Sequence, residues 1–590
     1  MRAQLRGEIQ TSPRGQGLVH RNGAVYTPRS VADFVARKTL GIIASETEMG
    51  HFQGVSVVDP AVGDGMLLRS FLDAVRSSGK TIALSLCGVD KNRRALTACI
   101  QALGDGSPRT TRLVLRNANS LLPGRSSTLQ EWWDGVSMAT GSQGKFDVLI
   151  ANPPWGADMS GYLPTLKSRG EFSVLNHQVD SFELFVELSM KIVRRGGYFA
   201  LIVPDAILNH GKSPIRELLL SKSQVKYVAR LGEGLFPGVY RGCAVVIGKN
   251  APPSRETLTT CFRLRRSDRA RVVEGTRSLS EVETQSLHVV RQARFSRNPN
   301  WEIDIDLREA EADLLAKVRA SHSTLGQALV GTRGVELGKT GWVCRCPRCS
   351  TYSPMPTRRK LVCRSCGSSF DLDQATRTQI IQSRASKGAV PLIIGSDLKR
   401  YSASPSKWIL LGKEGINYKL PETFGAPKLL VRKTGVGITS AIDYAGCYTT
   451  QVVYIFRTAG TSQPALEFFL GLLNSRLYYF ILSKSFGEVE WRTHPYLTQS
   501  QILGLPLPDL NTARNRAVAH GVSQVVRRAG MRNELSPRQD LQIESLVGRL
   551  FGLSLKDYGI VFDALDQADE LLPVKALKTV DYSDLTRLLN

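Results

Sequence analysis

No apolar run in the 590 residues reaches the roughly 18–20 that a helix needs to cross a bilayer, so no membrane partner is expected. The opening stretch, Met1 to Gly17, mixes Arg, Glu, Gln and Gly and lacks the apolar centre of a secretory leader. A cytoplasmic protein with reduced thiols is the resulting expectation. Internal repeats and low-complexity tracts are also missing, which sets aside a repeat array. Acidic residues are in short supply: 52 Asp and Glu face 77 Lys and Arg, for a net charge of +25. Such an excess favours a polyanionic partner, because neutralising phosphates releases condensed counterions; a generally basic proteome is the alternative.

A hydrophobic share of 42% with 22% charged residues suits a folded chain rather than a disordered one. The length suggests about three domains. Residues 1–25 read as a polar, Gly-rich arm. From 26 to 250, apolar runs alternate with amphipathic stretches, and Val55–Asp59, Leu84–Asp90, Leu113–Arg116, Phe146–Ala151 and Tyr198–Val203 read as buried strands. That rhythm predicts an α/β fold with a doubly wound, Rossmann-like parallel sheet. Residues 251–300 lose the rhythm and read as a basic linker, with Arg263, Arg265, Arg266, Arg269 and Arg271 close together. Residues 301–510 carry a helix, a Cys cluster and β-rich segments, and 511–590 read as helical.

Two turns carry chemistry. In the first, Val57-Val58 runs into Asp59-Pro60-Ala61-Val62-Gly63-Asp64-Gly65 and then an amphipathic helix. Gly63 and Gly65 let backbone approach a ligand, and Pro60 stiffens the turn. Asp90 ends the next apolar strand, where nucleotide-binding sheets place an acid for ribose hydroxyls. Asp59 and Asp64 beside the glycines suit a cationic, phosphate-free ligand better than NAD. S-adenosylmethionine, with a ribose, an amino group and a sulfonium, has that character.

In the second turn, the strand Phe146–Ala151 ends in Asn152-Pro153-Pro154-Trp155. Asn152 and Pro153 each precede a proline and are pushed out of the α region, so their carbonyls are free to face a pocket. The Asn152 side-chain carbonyl and the Pro153 backbone carbonyl can accept both hydrogens of one amino group, and Trp155 offers a face for a planar base. Accepting both N–H groups of an exocyclic amine localises the lone pair that the ring would otherwise withdraw. Rate then comes from positioning and oriented dipoles. A rigid structural turn ending in Trp is the bland alternative.

These residues resemble the N6-adenine DNA methyltransferases of restriction–modification and related bacterial systems, in particular the TaqI/Eco57I-like group with the γ motif order. Gly23-Ala24-Val25-Tyr26-Thr27-Pro28 is similar to the family's N-terminal cofactor motif, with Thr27 and Pro28 beside the methionine moiety. Asp59 to Gly65 is similar to its Asp-Pro-x-x-Gly-x-Gly loop, Asp90 falls on its ribose-binding acid, and Asn152 to Trp155 falls on its catalytic tetrapeptide. Asn119 stands where the family usually carries an acid contacting the cofactor's adenine, and Trp155 where Tyr or Phe is commoner. Ser181-Phe182-Glu183-Leu184-Phe185 and Gly196 to Pro204 resemble the helix–strand pair that follows, and Phe236 lies where an aromatic sandwiches the flipped base, unless it is core. Pro391–Tyr401, Pro427–Gly435, Ala441–Phe456 and Phe469–Tyr479 resemble the target-recognition domain. The resemblance implies site-specific methylation of a flipped adenine in double-stranded DNA, from S-adenosylmethionine, in a nucleoid-associated enzyme of restriction–modification or phage defence. The arm before Tyr26 is too short for a nuclease, so cleavage is expected on a separate restriction or defence subunit. Methylation of RNA or of a protein glutamine, and a non-catalytic DNA-binding subunit, are the other readings.

Cys346-x₂-Cys349 and Cys363-x₂-Cys366 form two knuckles within 343–367, the spacing of a zinc ribbon inserted in the recognition region. Four sulfurs imply a structural Zn2+ and not a catalytic one. Cys344 is an alternative to Cys346, and reduced buried thiols are the alternative to a metal. Arg345, Arg348, Arg358, Arg359 and Arg364 surround the knuckles, so the ribbon is expected to contact DNA phosphates or to help read the site.

Overall fold

A computed structural model describes residues 26–46, 54–79, 82–104, 111–124, 128–176, 179–209, 213–239, 241–320, 323–337, 341–355, 360–435, 437–461, 463–485, 496–530, 535–568 and 574–589. The arm 1–25, including Gly23, Ala24 and Val25, and Arg358 and Arg359 lie outside these residues. The chain divides into two compact units, Met1–Arg308 and Glu309–Asn590.

The first unit is built on strands β1 (Val55–Asp59), β2 (Leu84–Asp90), β3 (Thr111–Asn117), β4 (Phe146–Ala151), β5 (Val193–Pro204), β6 (Gln224–Gly232), β7 (Cys243–Lys249), β8 (Leu258–Arg263) and β9 (His288–Arg291). They form one sheet in the order β3-β2-β1-β4-β5-β7-β6-β8-β9. β1 pairs parallel with both β2 and β4, and β4 with β5, while β7 runs antiparallel to its neighbours β5 and β6. All five residues of β1 are buried, as expected of a central parallel strand covered on both faces. The strand order reverses at β1, and the crevice beyond the carboxyl ends of β1 and β4 is where such sheets bind ligands. Both chemistry-bearing turns leave the sheet at that edge.

Residues 251–300 are not a linker. β8 pairs parallel with β6 and β9 antiparallel with β8, so the sheet continues to Arg291. Phe262, Leu264, Val272, Leu279, Val282, Val290 and Phe295 join the same core as Val57 and Leu149, and Ile303 and Ile305 close it. Two of the arginines that suggested a linker have internal partners. Arg263 pairs with Asp306 at 3.4 Å, and Arg269 donates to the Glu233 carbonyl at 3.2 Å.

The second unit carries mixed β structure and a C-terminal set of helices. Leu329–Arg333, Val453–Thr458, Lys428–Arg432 and Ser440–Asp443 form one four-stranded sheet in that order. Ile381–Gln382, Lys407–Leu410, Ala389–Ile393 and Tyr448–Thr449 form another. The cysteine knuckles lie between Trp342–Arg345 and Ser369–Asp371. Gly341 and Gly415 seat this insert: a Cβ on either would come within 2.4 Å of Ile381 or of the Tyr352 carbonyl. Helices Arg476–Ser485, Pro537–Leu550 and Leu555–Asp566 pack their apolar faces together at the carboxyl end. Among the described residues no helix is long and apolar enough to cross a membrane.

Candidate active site

The glycine turn leaves β1 as a tight hairpin onto helix Met66–Ser77. Gly65 caps that helix at φ 83° and ψ 9°, a left-handed conformation, and a Cβ there would lie 2.7 Å from Cys99 Sγ. Gly63 donates its amide to Asp90 Oδ2 at 3.0 Å, and Asn92 donates to Oδ1 of the same carboxylate at 2.8 Å. Asp90 therefore ties the turn after β1 to the turn after β2. Asp59 is 1% exposed and accepts from the Ala61 amide at 2.9 Å. Burial pushes its carboxyl up to about 8, against the pull of the Ala61 amide, and the nearby Asp90 and Asp64 charges push the same way as burial. Burial also raises Asp64. An acidic turn that resists ionisation when empty of a cation gains most from receiving one.

These groups face an open cleft of about 970 Å³, solvent mouth included, lined among others by Tyr26, Gly63, Asp90, Asn119, Asn152 and Pro154. A smaller recess of about 260 Å³ brings Thr27, Asp59 and Asp64 together with Tyr26, Gly63 and Asn152. Asn119 lies in the cleft, with its Oδ1 accepting from the Leu121 amide of its own turn at 3.1 Å. Pro28 caps the first turn of helix Arg29–Glu46, its carbonyl accepting from Val31 and Ala32 at 3.0 Å. Pro60 and Ala61 line the cleft wall.

The acceptor turn begins where β4 ends. The Asn152 side-chain amide donates to Thr27 Oγ1 at 3.1 Å. The Pro154 carbonyl accepts from Ser181 Oγ at 2.6 Å, Gly156 donates to Asp180 Oδ1 at 2.7 Å, and Ala157 donates to Ser181 Oγ at 3.2 Å. Pro153 is buried beneath them. Trp155 is only 8% exposed: its Nε1 donates to the Ile202 carbonyl at 3.2 Å, and its ring meets Phe236 edge-on at 5.4 Å between centroids. The two aromatics thus touch each other, with Phe236 itself buried.

Sequence reasoning brought Asn152, the glycine turn and Asp90 to one cleft but passed over Asp180, and gave Ser181 only as the start of the helix that follows the acceptor turn. The signal for Asp180 was a capping box, since it opens helix Ser181–Ile192 and its amide donates to Glu183 at 2.8 Å. Tyr162, which adds apolar wall to the cleft, carried no local signal, and Phe185, on the same wall, was named only as part of that helix.

The cysteine knuckles superimpose in pattern. Cys346 donates its amide to the Thr351 carbonyl at 2.8 Å and accepts from Ser350 at 3.0 Å; Cys363 donates to Ser368 at 2.9 Å and accepts from Gly367 at 2.9 Å. Ser350 and Gly367 hold matching positive φ values of 63° and 71°. The Sγ atoms of Cys346, Cys349, Cys363 and Cys366 all lie within 4.8 Å of one another. Cys346 to Cys366 is 3.8 Å and Cys349 to Cys363 is 3.5 Å. Zn–S bonds of about 2.3 Å in a tetrahedron give an edge of about 3.8 Å, so the four thiols fit zinc. Hydrogen bonds led by the Cys366 amide hold the Cys363 thiol down at about 6, the direction a thiolate ligand requires. Cys344 Sγ turns away, to the Ser353 carbonyl at 3.6 Å.

The family model described as N-6 DNA Methylase matches residues 16–301, and the model described as TaqI-like C-terminal specificity domain matches 390–507. No curated protein matches the chain. Among solved structures, the chain is similar to the type IIG restriction endonuclease BpuSI, at 13% identity over 93% of this chain and 67% of that one, with a TM-score of 0.42. It is also similar to a type I restriction–modification methyltransferase subunit from Streptococcus thermophilus, at 18% identity over 50% and 61%, with a TM-score of 0.35. A third is the nuclease-deletion mutant of the type ISP restriction–modification enzyme LlaGI, at 12% identity over 85% and 55%, with a TM-score of 0.42. The chain spans little more than half the length of the last two. The two family matches fall in sequence along one chain, so this protein belongs to the N-6 DNA methylase family and carries a TaqI-like specificity domain behind its methylase domain.

Proposed function

We propose that the chain methylates the exocyclic N6 of adenine at specific sites in double-stranded DNA, with S-adenosylmethionine as donor, in restriction–modification or phage defence. The observation that carries this reading is the shared cleft: Asn152 and Pro154 stand on the same cavity wall as Gly63 and Asp90. S-adenosylmethionine supplies an activated methyl that moves by in-line displacement without a covalent enzyme intermediate. Asp90 accepts from the ribose hydroxyls, Asn119 and the apolar wall receive the adenine, and the Asp59–Asp64 turn with Tyr26, Thr27 and Pro28 receives the cationic end.

The amide nitrogen of Asn152 donates to Thr27, and its side-chain oxygen is the atom assigned to accept a substrate N–H. Ser181 occupies the Pro154 carbonyl, so the second acceptor is the carbonyl of Pro153. A purine amine held by both would present its lone pair to the donor side of the cleft. The target base must leave the duplex stack to arrive there. Trp155 and Phe236 meet edge-on, so stacking a base between them requires the two rings to part. The four cysteines hold a structural Zn2+, and Arg345, Arg348 and Arg364, all exposed, contact DNA phosphates from the ribbon. Action on DNA places the working enzyme in the cytoplasm.

Mapping modified adenines in the DNA of cells expressing the protein, beside Asn152→Ala, tests the reading. Wild type should leave N6-methyladenine in one sequence context. Asn152→Ala should leave none while binding S-adenosylmethionine with nearly unchanged affinity. Labelled methyl appearing on RNA or protein and not on duplex DNA would overturn the substrate, and normal methylation by Asn152→Ala would overturn the site.

A further inference from the structure

The acceptor turn and the loop that carries Phe236 are joined at one carboxylate. Asp180 Oδ1 accepts from the Gly156 amide at 2.7 Å, directly after the catalytic tetrapeptide. Its Oδ2 accepts from Arg241 Nη2 at 3.0 Å, and Arg241 follows Phe236 by five residues. Asp180 is itself fixed, since it precedes helix Ser181–Ile192 with its backbone amide bound to Glu183. Gly156 is constrained twice over: its φ is 63°, and a Cβ would stand 3.1 Å from Arg241 Nη1. The same two segments also meet through Trp155 and Phe236. One carboxylate therefore bridges the two segments, gripping one by a backbone amide and the other by a guanidinium.

We infer that Asp180, with Arg241 as its partner, is the positioning residue that sets the separation of the two aromatic walls of the acceptor pocket. The inference rests on the reading of that pocket as the adenine site. Neither residue lines the cofactor cleft, so both act through the walls they tie. The ion pair is half-exposed on the Arg241 side and contributes little to stability. Its effect is geometric, and a displacement of about 1 Å at a reacting centre costs as much as about a hundredfold in rate.

The test is a double-mutant cycle in the full-length protein with Asp180→Asn, Arg241→Gln and the pair. Asp180→Asn retains an oxygen for the Gly156 amide but removes the charge that Arg241 grips. The rate is measured on the duplex methylated by wild type, and base extrusion is read separately by fluorescence on the same duplex with 2-aminopurine at the target position, which lacks the 6-amino acceptor. Each single variant should lower the single-turnover rate roughly tenfold or more, weaken the 2-aminopurine signal and leave S-adenosylmethionine affinity within about twofold. The double variant should be no worse than the poorer single, and Arg241→Lys should recover part of the rate. Additive losses, an unchanged fluorescence signal, or a loss explained wholly by weaker salt-dependent DNA binding would overturn the inference. If wild type itself transferred no methyl to adenine, the reading of the pocket would fail; if wild type worked and the variants matched it, only the role of Asp180 would fail.

Discussion

Thr27 and Asn152, 125 positions apart, meet at 3.1 Å, with the Asn152 amide donating to the Thr27 hydroxyl. The bond fixes which end of a symmetric-looking carboxamide faces the cleft. Thr27 is buried beside Asp59 and Asp64, so the same residue borders the donor recess and the acceptor turn. Without the hydroxyl, the carboxamide loses the partner that favours its productive face. Thr27→Val should lower the single-turnover methylation rate by about tenfold, the worth of one hydrogen bond of about 1–1.5 kcal/mol, while Thr27→Ser restores most of it. Rapid-quench measurements with saturating cofactor check this, and a Val variant at the wild-type rate would refute it.

Asp59 makes the donor site sensitive to pH. With its carboxyl raised to about 8, it holds a proton near neutrality when no cation is bound. A raised carboxyl favours the folded, ligand-free protein fully below its ordinary value of 3.8, and that contribution is lost as pH climbs through about 8. A sulfonium or ammonium ligand reverses the preference, because it is stabilised by the anion. S-adenosylmethionine should therefore bind more tightly as pH rises from 6 to 8.5, with proton uptake by buffer visible in calorimetry across buffers of different ionisation enthalpy. Asp59→Asn should flatten that profile and weaken binding, yet melt higher than wild type in the ligand-free state at pH 8.5.

How much of this could be read from the sequence follows from where each segment's partners lie. β1, β2 and β4 were legible to the residue because central parallel strands are continuous apolar runs bounded by turn residues. β5 begins five residues earlier than its apolar run, at Val193, because Arg194, Arg195, Gly196 and Gly197 belong to the strand without being apolar. β8 was hidden by its alternation: Thr259 and Cys261 point into the core while Leu258 faces out, and the surrounding arginines masked it. Asp306, which answers Arg230 and Arg263, lies more than 40 residues downstream of either, beyond the reach of any local pattern. The two turns of the site were legible through backbone chemistry, since Gly and Pro announce their own geometry. The Trp155–Phe236 contact and the role of Asp180 were not, because both depend on which loops the sheet brings together.

The cysteine quartet offers a clean contrast within one short segment. Purified protein should contain one zinc per chain, and Cys363→Ser should lose it, whereas Cys344→Ala should keep it, because Cys344 Sγ faces the Ser353 carbonyl. Removing the ion leaves four clustered thiols and two strained knuckles at Ser350 and Gly367 without the bonds that hold them. A strong chelator should lower the melting temperature and weaken DNA binding. Cofactor affinity should stay unchanged, since the donor cleft lies wholly in the first unit. Zinc retained by Cys363→Ser, or lost by Cys344→Ala, would reassign the ligands.

In the second unit, Asp540 anchors the C-terminal helices to the β structure. It accepts from Arg400 at 2.6 and 2.9 Å and from Arg476 at 2.9 Å, and Arg476 is fully buried with Glu544 as its other partner at 3.2 Å. Burial would raise the Asp540 carboxyl, but Arg400 and Arg476 outweigh it and hold the group below its ordinary 3.8. Replacing it with Asn keeps the shape and leaves a buried guanidinium uncompensated, a change that costs about 3–5 kcal/mol. A lowered carboxyl contributes stability above its unfolded value of about 3.9, and that contribution is lost as pH falls through the folded value. Urea unfolding of wild type and Asp540→Asn should thus differ by several kcal/mol at pH 7 and converge below about pH 4. A gap under about 1 kcal/mol at neutral pH would mean that Glu544 alone neutralises both arginines, and that the helices are held by apolar packing instead.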